Sequence, residues 1–180
     1  TPSLHEAEAP AVAAEAAAFD AGPLDFEDLD RELVDIFVEE GKDLLDHCDR
    51  LISELRSAPE DRELLAGLQR DLHTLKGGAR MAGINAIGDL GHGIESLLEA
   101  VAANRTEIGR SDVQLLERGF DRLHQLLLHT GAHRAVQMPT DLVEAFEART
   151  AGRAMVQEAA PIAEAVPQPV ETPVSDAPVE

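Results

Sequence analysis

Between residues 25 and 150, large apolar residues recur every three or four positions, and no stretch alternates apolar and polar residues as a half-buried strand does. The block therefore reads as helix throughout. A first helix is predicted from near Glu27 to Ser57. Its apolar stripe is Leu29, Leu33, Ile36, Phe37, Leu44, Leu45, Cys48, Leu51, Ile52 and Leu55, with Gly41 as a bend and Ala58-Pro59 as its end. A second runs from Pro59 or Glu60 to Ala82, turning Leu64, Leu65, Leu68, Leu72, Leu75 and Ala79 inward, with Gly83 suited to its C-terminal cap. A third spans Asn85 to Asn104 with Ile87, Leu90, Ile94, Leu97, Leu98 and Val101 inward. Ser111 opens a fourth, with Gln114 completing a capping box, and Thr140 opens a short fifth ending near Arg149. Long amphipathic helices joined by short loops predict an all-α fold, an antiparallel four-helix bundle with a short fifth helix.

The flanks have a different texture. Residues 1–24 and 151–180 are rich in Ala, Glu and Pro and hold eight of the ten prolines. Such stretches bury too little surface to offset ordering entropy, so both are expected to be disordered linkers around a folded block at 25–150. A bead between two linkers, with no initiator Met, reads as a piece of a longer multidomain chain.

Charge and composition narrow the function classes. Thirty-five acidic residues against 15 basic ones give a net charge of −20, and the five Phe are the only aromatics apart from histidine. Such a chain repels phosphate backbones and has few rings for base stacking, which argues against nucleic acid, and it is repelled by anionic membrane surfaces. One cysteine, Cys48, excludes an intrachain disulfide. With no signal peptide and no apolar run long enough to span a bilayer, the expected location is the cytoplasm.

One stretch asks for more than a generic bundle. Residues 71–83 read Asp-Leu-His-Thr-Leu-Lys-Gly-Gly-Ala-Arg-Met-Ala-Gly. His73 falls ~100° around the helix from buried Leu72, at the edge of the stripe, and shares its face with Lys76, Gly77 and Arg80. Gly77 and Gly78 each cost the helix ~1 kcal/mol relative to Ala, a cost that close approach of another backbone or a docking protein would offset. A histidine with cations beside it and cleared space around it suits a phosphoryl acceptor, with Lys76 offsetting the added negative charge. On the third helix, His92 and Glu95 stand one turn apart among Gly88, Gly91 and Gly93. If that helix packs on the second, Glu95 can accept Nδ1–H of His73, fixing the tautomer and leaving Nε2 as nucleophile.

The His73-x-x-Lys76-Gly77-Gly78 motif on a second helix, with His92-x-x-Glu95 on a third, resembles the histidine-containing phosphotransfer (HPt) domains of chemotaxis-type histidine kinases, over residues 25–150. The wording HTLKGGARMAG at 73–83, between Ala/Pro/Glu linkers, further resembles the multi-HPt kinases of type IV pilus chemosensory systems, which drive twitching motility. The resemblance implies that His73 takes a phosphoryl group from a kinase domain and passes it to an aspartate of a response-regulator receiver. Glu95 would orient His73, Lys76 would stabilise the phosphate, His92 would support the site, and Gly77, Gly78 and Arg80 would form the docking surface. Nothing in the chain resembles an ATP-binding domain. ATP and Mg²⁺ are thus expected to belong to partner domains, and the fragment to be a monomeric carrier of a phosphoryl group, part of a larger kinase. The other reading is a helical module that only docks receivers or kinase domains. His124, His129 and His133 have poor spacing for a metal site, and Cys48 reads as a buried, inert thiol.

Overall fold

The computed structural model describes residues 19–158, with side chains through Gly152. The described part holds five helices, α1 (Arg31–Leu55), α2 (Arg62–Ala82), α3 (Asn85–Ala102), α4 (Arg110–Gly131) and α5 (Thr140–Glu158), and two short strands, β1 (Asp20–Pro23) and β2 (Arg134–Val136). Helices α1 to α4 close a ring in which each packs on the next and α4 returns to α1, while α5 lies against α3. The all-α bundle expected from the periodicity is the fold observed.

The helix starts are set by aspartates. Asp30 accepts from the backbone N–H of Glu32 and Leu33 at 2.9 and 3.2 Å, and Asp61 from those of Glu63 and Leu64 at 2.9 and 3.3 Å. These caps move the starts of α1 and α2 inward from the expected Glu27 and Pro59. The start of α4 also differs. Gly109 is the capping residue and its N–H donates to Asp112 Oδ2 at 2.8 Å, so Ser111 and Gln114 do not form the predicted capping box. The Gly83 cap stands. Its φ of +79° is a conformation glycine alone adopts freely, and Ile84 N–H closes the turn on Ala79 O at 2.8 Å.

The buried stripe of α1 runs Val34, Phe37, Val38, Gly41, Leu45, Cys48, Ile52 and Leu55. Leu33 and Ile36, expected inward, are exposed, because the first two turns are rotated from the predicted phase. Leu29 lies before the helix and packs over Gly83, where a Cβ would come within 2.5 Å of it. Gly41 is no break: α1 continues through it, and its bare face admits Leu127 and Leu75.

The strands were not expected. β1 pairs antiparallel with β2, and the Arg134 guanidinium holds both carboxylate oxygens of Asp20 at 2.8–3.2 Å. Arg122 stacks over Phe19 and Arg31 over Phe26. The folded unit therefore begins before residue 25. At the other end, α5 continues past Arg149 to Glu158, into the stretch read as linker. The linker expectations for 1–18 and 159–180 lie outside the described residues.

Helix α5 is keyed into the bundle by Phe146, which is wholly buried. Gly93 and Gly119 leave the room for it. A Cβ at Gly119 would stand 2.9 Å from the Phe146 ring, and one at Gly93 would stand 3.2 Å from its Cβ. Arg149, on the same helix, pairs with buried Asp112 of α4.

Candidate functional site

His73 lies mid-way along α2 and faces α3. Its Nδ1 is 2.7 Å from Oε1 of Glu95, and the Lys76 ammonium, one turn further along α2, bonds the other oxygen, Oε2. One carboxylate thus receives two donors from consecutive turns of α2. The side chains differ in exposure: His73 is 72% exposed, Lys76 14% and Glu95 4%. Burial pushes the Glu95 pKa up, but the hydrogen bonds and charges of Lys76 and His73 outweigh it, and the carboxyl is held below its ordinary range. A buried carboxylate is stable in this fold because both its oxygens are paired.

With Glu95 ionised, the ring nitrogen facing it carries the proton. That leaves the Nε2 lone pair pointing away from Glu95, with no protein partner among the described residues. The site presents an oriented, solvent-open imidazole nucleophile braced from behind by a carboxylate and a lysine.

The close approach of α2 and α3 depends on small residues. Lys76 passes over Gly91, where a Cβ would come 3.7 Å from that of Lys76, and Arg80 passes over Gly88, where a Cβ would stand 3.4 Å from its Cγ. The two glycines of the motif have different jobs. A Cβ at Gly77 would meet nothing within 4 Å, so this position is open surface beside His73. A Cβ at Gly78 would stand 3.0 Å from the Phe37 ring, so Gly78 serves the α1–α2 seam rather than the docking surface proposed for it.

The structure brings His73, Lys76, Glu95 and Gly77 together, with Arg80 exposed on the same face. It does not bring His92 into contact with His73. His92 is exposed on α3 and lines a groove toward α5 with Ser96, Val143 and Glu147. Lys76, expected to face the phosphate, is committed to Glu95 instead, since the buried carboxylate draws it inward. Met81, one turn beyond Gly77 on α2, is 76% exposed.

Three further histidines are engaged by other parts of the bundle. His124 Nε2 lies 2.9 Å from Asp49 of α1, without hydrogen-bond alignment, His133 is 2.7 Å from Asp35, and His129 bonds Gln125 O. Burial, with Asp71 nearby, pushes the Cys48 thiol far above its ordinary pKa, so it is an inert core group. Among the described residues no helix is long and apolar enough to cross a membrane.

The family model for the Hpt domain matches residues 32–128, which takes in α1 to α3 and most of α4. The chain belongs to the Hpt domain family. This Hpt domain is 27% identical over 96 residues to the chemotaxis protein CheA of Bacillus subtilis (53% of this chain, 14% of that one). It is 33% identical over 113 residues to CheA of Cereibacter sphaeroides (62% and 16%). It therefore spans about one seventh of the length of these relatives. Among solved structures, the CheA phosphotransferase domain from Thermotoga maritima is 30% identical with a TM-score of 0.51, covering 53% of this chain and 91% of that one. The phosphorylated P1 domain of CheA3 in complex with CheY6 from R. sphaeroides shares the fold, with a TM-score of 0.62 at 23% identity over 67% of this chain and 97% of that one.

Proposed function

We propose that the chain is a phosphoryl carrier in which His73 is the acceptor. The observation that carries this is the bond from His73 Nδ1 to buried Glu95, which leaves Nε2 as a free, exposed nucleophile. In the first half-reaction the Nε2 lone pair attacks the γ-phosphorus of ATP held by a separate kinase domain, and the bond from that phosphorus to the ADP oxygen breaks. The ring, still carrying its Nδ1 proton, gains positive charge, which the Glu95 carboxylate offsets. In the second, a carboxylate oxygen of a receiver aspartate attacks the phosphorus and the P–N bond breaks, returning neutral imidazole. ATP and Mg²⁺ belong to the partner domains.

The roles follow from position. Glu95 orients the ring, Lys76 fixes Glu95, and the open surface at Gly77 admits the receiver, flanked by exposed Arg80 and Met81. The test loads the chain with a kinase domain and Mg·ATP and then adds a receiver. An acid-labile phosphate should leave the chain and appear as an acyl phosphate on the receiver. A chain that binds both partners yet never carries phosphate is a docking module, and the reading fails.

Replacing Glu95 by Ala should slow loading of His73 by about 10²-fold, the low end of what a positioned acid–base group contributes. Stopped-time phosphorylation assays measure it, and a rate equal to wild type would reduce Glu95 to a structural ion pair. Gly77→Leu separates docking from folding. The space is empty and Leu is the better helix former by about 0.8 kcal/mol, so the melting temperature should hold or rise. Transfer to the receiver should fall by ~10²-fold, because the side chain enters the approach path to Nε2. Normal transfer in a stable mutant would remove Gly77 from the docking footprint.

The wording of residues 73–83 supports a narrower reading: the chain comes from a cytoplasmic multi-HPt kinase of a type IV pilus system. Deleting the gene should then abolish twitching across a surface and leave flagellar swimming intact; the reverse phenotype refutes it.

A further inference from the structure

Three cations surround His73 on α2: Arg70, Lys76 and Arg80. Lys76 is engaged, and moving it to a phosphoryl group would strip buried Glu95 of one of its two partners, a costly exchange. Arg70 and Arg80 are exposed, and neither side chain has an ion-pair partner among the described residues.

Direction separates these two. Arg80 is seven residues beyond His73, which places it within about 20° of the same line on the helix, roughly two turns along the axis. Helical side chains lean toward the N-terminus, so the Arg80 stem leans back toward His73, whereas Arg70, three residues before His73, leans away from it. The ground between is clear, since Gly77 has no side chain and a Cβ there would meet nothing within 4 Å. The stem itself has a seat: Arg80 Cγ lies over Gly88 of α3, where a Cβ would be 3.4 Å away.

We propose that Arg80, not Lys76, is the cation that meets the phosphoryl group on His73 Nε2. This rests on the phosphoacceptor reading and assigns the charge partner of that same site. A guanidinium suits the task, because its fork of N–H donors matches two phosphoryl oxygens. The need is plain in a chain of net charge −20 that must accept a dianion on its surface. The other charged groups on this face are Arg70 and Lys76 on α2 and Glu95 on α3, while Asp89 and His92 of α3 line the neighbouring groove toward α5.

The test uses the full 180-residue chain and phosphoramidate, a small donor that needs no kinase. The P–N bond of the donor breaks, the phosphoryl group passes to Nε2 of His73, and ammonia leaves. The pH titration of the phosphoryl ³¹P resonance then reads its local charge, in a His92→Gln background so that His92 does not contribute. Arg80→Ala should raise the phosphoryl pKa by about half a pH unit, the scale of one exposed ion pair. Arg70→Ala should leave it in place, and high salt should erase the difference between Arg80→Ala and its parent. An Arg80→Ala titration that overlays its parent, or an Arg70→Ala shift of equal size, overturns the Arg80 assignment while the phosphoacceptor reading stands. If phosphoramidate places no phosphate on His73 in the wild-type chain, that reading falls and the assignment with it.

Discussion

Replacing His73 by Gln should abolish phosphorylation by a kinase domain while leaving the melting temperature within a degree or two of wild type. The His73 ring is largely exposed and its one protein partner is Glu95, so the core loses nothing on substitution. Gln retains an amide that can donate to the Glu95 carboxylate, so the buried charge remains paired. What disappears is the nucleophilic nitrogen. Among the described residues no other histidine shares its setting: His47, His124 and His133 face aspartates, His129 bonds a backbone carbonyl, and His92 has no carboxylate behind it. Phosphate retained on His92 or His124 in the mutant would refute the assignment.

The largest effect on stability should come from Phe146→Ala. Phe146 is the key that joins α5 to the four-helix ring, buried completely between Gly93 and Gly119. A buried Phe truncated to Ala typically costs 3–5 kcal/mol, and the pocket floor cannot collapse, because it is helix backbone at two glycines. Urea unfolding should show a loss of that size, and hydrogen exchange should show the amides of α5 losing protection before those of α1 to α4. A loss under about 1 kcal/mol would mean that α5 is an appendage and not part of the core.

The path from sequence to site was short where chemistry and periodicity agreed. His73, Lys76 and Glu95 could be placed together because i, i+3 spacing on one helix and the glycine-thinned face of the next left few other ways to pack them. The ring of helices followed from stripes long enough to average out local noise. What escaped were features set by non-local or single-residue geometry. β1 and β2 are four and three residues long, too short for alternation to show, and they pair across more than a hundred residues. The first turns of α1 carry Leu33, Val34, Ile36, Phe37 and Val38, so apolar residues occupy nearly every direction and the phase is decided by which ones meet α2 and α4. The adjacent glycines looked alike in sequence, and only the Phe37 ring tells them apart. Lys76 read as a phosphate ligand because its engagement depends on Glu95 being buried, which periodicity alone does not reveal.

In the proposed mechanism Glu95 holds the Nδ1 proton of His73 so that Nε2 takes the phosphoryl group. The most direct measurement is ³¹P and ¹⁵N NMR of the chain phosphorylated by a kinase domain and selectively ¹⁵N-labelled in histidine. A single phosphorus should couple to Nε2 of His73, with Nδ1 still protonated and bonded to Glu95. Phosphorus on Nδ1, or on the ring of any other histidine, would contradict it.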